Sequence, residues 1–188
     1  MNNKIISIIL ILISIFIVIS PSFRELEFSI ISEEKTSSGE NVNIPSEEEY
    51  PIAEIPLEGF VMANISVDVI LVDRAQVSLR AGCYLVEATT DAYVASAIEK
   101  ALKEKVDFRP TVYDVINDAF RNLGIKVLAV KITEIKENTF IGQLIIQQKD
   151  KVLALDSRPS DATAIALRAK APIYINETLT KERGRYIC

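Results

Sequence analysis

An α+β fold is what this sequence predicts, on three observations. Strand-like runs come in threes, and each trio is followed by a capped helix. The pattern occurs twice, over 60–103 and again over 125–169. An apolar content of 49% in 188 residues supplies the core of one ordinary domain. Strands grouped around few helices argue against a doubly wound parallel sheet, in which the two alternate. The expectation is therefore two duplicated strand-strand-strand-helix units forming a mixed, curled sheet with helices outside, preceded by an N-terminal transmembrane helix.

The chain opens with Lys4 and an apolar run, Ile5 to Ile19, broken only by Ser7 and Ser14. The run is somewhat short of the roughly 20 residues that span a bilayer. No small-residue cleavage site follows, so residues 1–23 read as an uncleaved signal-anchor rather than a signal peptide. The positive end at Lys4 puts the rest of the chain outside the cytoplasm. Residues 24–56 read as an acidic, disordered linker, rich in Glu and Ser and poor in aromatics. The globular part is then 57–188. Residues 1–59 carry a net charge of −7 and residues 60–188 one of +2, so the domain lacks a strongly basic footprint.

Within the domain, Phe60–Val72 is β-branched and reads as one strand, Gln76–Arg80 as a second and Cys83–Glu87 as a third. Asp91 precedes a helix with Val94, Ala97, Ile98, Ala101 and Leu102 on one face. Thr111 caps a second helix, with Val112, Val115, Ile116, Ala119, Phe120 and Leu123 as its stripe and Gly124 as its stop. Ile125–Ile135 and Thr139–Gln148 form a hairpin across Glu137-Asn138. Val152–Asp156 is the next strand, 161–169 a helix and Ala171–Ile175 a last strand.

The chain has no histidine, which removes His general bases, Ser-His-Asp triads and imidazole zinc ligands. Its two cysteines cannot build a zinc site. They fit a small buried Cys83 and a loose terminal Cys188 better than a disulfide.

Polar chemistry concentrates in one turn, Asp156-Ser-Arg-Pro-Ser-Asp161. Asp156 and Asp161 suit a divalent cation, Mg or Mn, because hard cations take carboxylate oxygens. Arg158 suits a phosphate, and the helix start at Ser160 offers free backbone N–H groups to an anion. A purely structural account stands beside this one: Ser160 as N-cap, Asp161 complementing the helix dipole, Arg158 paired with Asp156. Arg109 with Asp114, and Glu87 with Asp91, are lesser candidates of the same kind.

Leu155-Asp-Ser-Arg-Pro-Ser-Asp-Ala-Thr-Ala-Ile-Ala-Leu-Arg168, with Ala171-Pro-Ile-Tyr174, resembles the signature of the bifunctional nuclease (DNase/RNase) domain family. Gly59-Phe-Val-Met62 is similar to that family's opening strand. Arg109-Pro110 with Asp114 is similar to its central segment, Tyr113 standing where the family usually has His. The resemblance covers about 57–180. It implies an α+β domain, often oligomeric, that cleaves DNA and RNA, with Asp156, Arg158, Ser160, Asp161 and Asp114 at family motif positions. The expectation is a membrane-tethered, metal-dependent nuclease acting on nucleic acid. The alternative is a binding or assembly module of the same fold.

Overall fold

Residues 50–188, the part that the computed structural model describes, form nine strands and four helices. The β-branched run after Gly59 does not make one strand. β1 (Phe60–Met62) and β2 (Asn64–Ile70) part at the buried Ala63 and enter different sheets. β3 (Arg74–Ala81) and β4 (Tyr84–Asp91) continue β2 as an antiparallel meander. β5 (Ile125–Lys136), β6 (Thr139–Gln148) and β7 (Lys151–Ser157) form a second meander. Glu137 and Asn138 take positive φ at its first turn, as a tight hairpin requires. β8 (Ile173–Asn176) lies parallel to β5 and antiparallel to β1, and β9 (Arg185–Tyr186) pairs with β4.

The result is a mixed five-stranded sheet, β1-β8-β5-β6-β7, and a four-stranded sheet, β2-β3-β4-β9. The repeat in element order is present, but its strands form two sheets rather than one: β2, β3 and β4 of the first copy make one, and β1 joins the strands of the second copy in the other. The break at Ala63 sends β1 to one sheet and β2 to the other.

The helices are α1 (Ala92–Leu102), α2 (Val112–Asn122), α3 (Pro159–Arg168) and α4 (Glu177–Arg183). Not all of them lie outside. α3 touches α1, α2, β5 and β6, and Ala162, Ala164 and Ala166 are wholly buried. Those small side chains let neighbouring backbones approach, so this helix occupies the centre. Around it Val86, Ile98, Val130 and Ile175 are also wholly or almost wholly buried. Each contributes about 1.5–3 kcal/mol relative to exposure.

α1 buries the face its spacing predicts, except that Leu102 is exposed. α2 does not. Its buried residues are Tyr113, Asp114 and Asn117, while Val112 and Val115 are exposed. The helix is turned because its polar side chains have partners. Asn117 Nδ2 donates to the carbonyls of Tyr113 and Ile165 at 2.9 and 3.1 Å, which ties α2 to α3.

Two further features are invisible in the sequence pattern. Residues 51–56, assigned to the linker, run against the five-stranded sheet. The buried Gln147 accepts the Ala53 N–H at 3.0 Å and donates to the Pro51 carbonyl at 2.8 Å, and Lys131 Nζ donates to that of Pro56 at 2.8 Å. The cysteines are not free: Cys83 and Cys188 form a disulfide with Cα atoms 5.2 Å apart. β9 brings them together by pairing Tyr186 with Tyr84.

The apolar segment 1–23 and the linker up to residue 49 lie outside the described residues. Among the described residues no helix is long and apolar enough to cross a membrane.

Candidate functional site

Two strand-to-helix corners, one from each copy of the repeat, meet. β4 ends at Asp91, the N-cap of α1, and β7 leads through Arg158, the N-cap of α3. Neither side chain caps its own helix. Arg158 Nη2 donates instead to Asp91 Oδ2 at 2.7 Å, and its Nε lies 3.6 Å from Asp161 Oδ2. Pro159 at the first helical position has no N–H, so Ser160 and Asp161 open the helix with N–H groups that have no intrahelical acceptor. Ser160 is thus inside the first turn and is not the N-cap. Arg158 pairs with Asp91 and Asp161, not with Asp156.

Tyr113 completes the corner. Its hydroxyl donates to Asp161 Oδ1 at 2.6 Å, and its ring lies 6.3 Å from that of Tyr93. Burial and then the Asp161 carboxylate push the Tyr113 phenol far above its ordinary value, so it stays a proton donor. The hydrogen bond to Asp91 and the charges of Asp161 and Asp91 outweigh partial burial, holding the Arg158 guanidinium above its ordinary value.

Arg158 stands between two hollows. One of about 450 Å³ runs between the sheets over Val77, Leu79 and Ile132, with Glu87, Thr90, Arg158 and Ser160 at its rim. The other, of about 280 Å³, is lined by Asp73, Arg74, Thr89, Thr90, Asp91 and Arg158. Thr90 lines both, and its Oγ1 is buried with no protein partner; the same holds for Ser157 Oγ beside Arg158. Buried hydroxyls are rarely left so.

Asp156 is not part of this corner. In the β6–β7 ladder Leu144 faces Leu155 and Gln143 faces Asp156. Leu144 belongs to the core beneath α3. Side chains alternate along a strand, so Asp156 projects from the opposite face of the sheet. The expected Asp156–Asp161 pair for a divalent ion is therefore not formed. Among the described residues no three acidic or thiol side chains gather as a ligand set.

Asp114 is also elsewhere. It completes a capping box with Thr111, whose N–H and Oγ1 donate to its Oδ2 at 2.8 and 2.6 Å. Its Oδ1 lies 3.0 Å from Arg168 Nε, and both side chains are about nine-tenths buried. Burial alone would raise the Asp114 carboxyl. The Thr111 hydrogen bonds and the Arg168 charge outweigh it and hold the carboxyl below its ordinary value. Arg168 ends α3 and Asp161 is in its first turn, about 10 Å apart at 1.5 Å per residue. Arg109 is exposed, and Glu87 accepts from Gln76 Nε2 at 3.0 Å.

Of the residues that sequence reasoning singles out, the structure brings Arg158, Ser160 and Asp161 together with Asp91, a lesser candidate. Sequence reasoning misses the part of Thr90, and it reads Tyr113 only as a replacement for His. The signal for Asp156 was present: Leu153 and Leu155 alternate with it and belong to the other face.

The sequence profile of the bifunctional nuclease domain matches residues 77–187, more than half of the chain. An uncharacterised protein of Mycobacterium tuberculosis is 40% identical over 79 residues, 42% of this chain and 46% of that one. Bifunctional nuclease 1 of Oryza sativa subsp. indica is 33% identical over 79 residues, 40% of this chain and 24% of that protein. Bifunctional nuclease 2 of Arabidopsis thaliana is 34% identical with the same coverage. The chain thus spans under half of the length of these relatives. The profile match takes in both corners and every strand after β2 except the first residues of β3, and the chain belongs to the bifunctional nuclease domain family.

Proposed function

We propose that this domain is a nuclease that hydrolyses phosphodiester bonds of DNA or RNA at the Arg158 corner. The observation that carries the reading is Arg158 itself: a guanidinium between two hollows, beside the open N–H groups of α3. A phosphate there would meet the forked donors of Arg158, the Ser160 hydroxyl and the N–H groups of Ser160 and Asp161. Arg158 would neutralise charge that develops on the phosphate oxygens. Asp161, held by Tyr113, would take the proton of the attacking water, the work that a histidine does elsewhere. Asp156 and Asp114 have no part in this scheme. The plant relatives, named bifunctional nucleases, support the activity.

Tethering by segment 1–23, with the domain outside the cytoplasm, belongs to the same proposal. The Cys83–Cys188 disulfide supports it, since such bonds persist in oxidising compartments. Self-association at the edge strand β7 is supported by its exposed Val152, Leu153 and Leu155.

The test is cleavage of single-stranded DNA and RNA by the purified chain with Mn²⁺ or with chelator. Arg158→Ala and Asp161→Asn are each expected to lower the rate by about 10²-fold or more. Asp156→Asn should leave both the rate and any Mn²⁺ dependence unchanged. Loss of activity in Asp156→Asn with full activity in Asp161→Asn would overturn the assignment.

A second reading, a non-catalytic binding module, is favoured by one observation: Arg158, Asp161 and Asp91 already satisfy one another. Binding of nucleic acid without cleavage under all of these conditions would select it.

A further inference from the structure

We propose a second site, away from the Arg158 corner, that binds a small phosphate-bearing molecule with an apolar body. It lies where the C-terminal end of α2, the start of β5 and the turn from α3 to β8 meet. A hollow of about 510 Å³ opens there, a size ordinary for a small-molecule site.

Its anchor is Arg168. The side chain is about nine-tenths buried, and Nη1 donates to the Lys105 carbonyl at 2.5 Å. Nε and Nη2 have no hydrogen-bond acceptor. Asp114 Oδ1 is 3.0 Å from Nε and compensates the charge, but it lies off the N–H direction, so the ion pair leaves both donors unused. Its other oxygen is taken by Thr111. A buried guanidinium with two idle donors costs free energy unless an acceptor arrives.

The rest of the wall fits an anion with an apolar part. Arg121, Lys126 and Lys170 join Arg168 around the hollow, and no carboxylate lines it among the described residues. Phe120 and Ile125 supply apolar surface. Arg121 and Lys170 do have ion-pair partners, Asp118 and Glu104. Both pairs are highly exposed and contribute little, so they are readily exchanged. Two helices end here, and cations complement their C-terminal dipoles. That accounts for exposed cations such as Arg121 and Lys170. It does not account for a buried arginine whose Nε and Nη2 have no hydrogen-bond acceptor.

The experiment is calorimetric titration of the full chain with phenyl phosphate, and with inorganic phosphate in parallel. A saturable site is expected in the chain and also in Arg158→Ala, tighter for phenyl phosphate. Arg168→Lys should weaken it roughly tenfold, the effect of losing a charge-assisted hydrogen bond. Because Arg168 is buried, the exposed double variant Arg121→Ala with Lys126→Ala decides the matter if Arg168→Lys fails to fold. It should weaken binding severalfold with an unchanged circular dichroism spectrum. Absence of saturable binding overturns the proposal, as does binding undiminished in the double variant. Binding lost in Arg158→Ala but kept in the double variant would move the ligand to the other corner and also overturn it. None of these outcomes depends on whether the domain cleaves nucleic acid.

Discussion

Replacing both Cys83 and Cys188 with Ser removes a cross-link between residues 105 apart in sequence. In the chain-entropy description, a bond closing about that many residues restricts the unfolded chain by about 4.8 kcal/mol at 25 °C. The native contacts near it are modest. β9 contributes two residue pairs to β4, the Tyr84 and Tyr186 rings meet edge to face at 5.6 Å, and Ile187 N–H donates to the Cys83 carbonyl at 2.9 Å. These survive the substitution and restrict only the folded state. Residual structure in the unfolded chain reduces the entropic figure, so the expected loss is about 3–5 kcal/mol. Urea unfolding followed by circular dichroism measures it, comparing the oxidised chain, the reduced chain and the double variant. The last two should coincide. A loss below about 1 kcal/mol would refute the argument, since it would mean that the bond closes no loop left open in the unfolded state.

Two further outcomes follow from the packing. Gly142→Ala adds a Cβ that would stand 3.0 Å from Pro159 Cγ and 3.3 Å from Pro159 Cα and the Ser157 carbonyl. Overpacking there should destabilise by about 1–3 kcal/mol and displace the start of α3, lowering nucleolytic rate more than thermal unfolding alone explains. Asp114→Asn breaks a buried pair and should cost about 3 kcal/mol at neutral pH. Because the fold holds the Asp114 carboxyl below its ordinary value, its stabilising charge is present above about pH 4 and fades as pH falls through the depressed value. The gap between wild type and Asp114→Asn should therefore narrow in acid, as unfolding curves taken across that range would show.

Local signals in this sequence were dependable where period and cap agreed. The hairpin at Glu137-Asn138, the Thr111 cap and the buried face of α1 all stand in the chain as read. Gly124, at φ +64° just after α2, ends that helix as expected. What escaped were features decided by distant partners. α2 turns Asn117 toward the centre because it finds the Ile165 carbonyl on α3, and hydrophobic periodicity cannot count such an acceptor. The charged tail folds as α4 and β9, and Cys188 meets Cys83, only because β4 offers it an edge. Arg158 takes its hydrogen-bond partner from Asp91, 67 residues away in sequence. Family motifs mark Arg158 and Asp91's corner separately; only the fold shows that they touch. Asp156 shows the reverse case, where nearness in sequence misled, since one step along a strand changes the face.

The contact between Arg158 and Asp91 has a consequence of its own. Both side chains are more than half exposed, so water and salt screen the bond and it contributes little to stability. It does, however, hold a long, flexible cation in one direction. Under the proposed function such a pair would work as a placeholder: the resting carboxylate would stand in for the phosphate and keep the guanidinium aimed. The phosphate would then need only to displace an oxygen that is weakly held. Since Asp91 comes from the first copy of the duplicated unit and Arg158 from the second, that exchange would also be felt as a loosening between the two copies. Ligand and internal partner would then compete for one cation at the seam between the two copies.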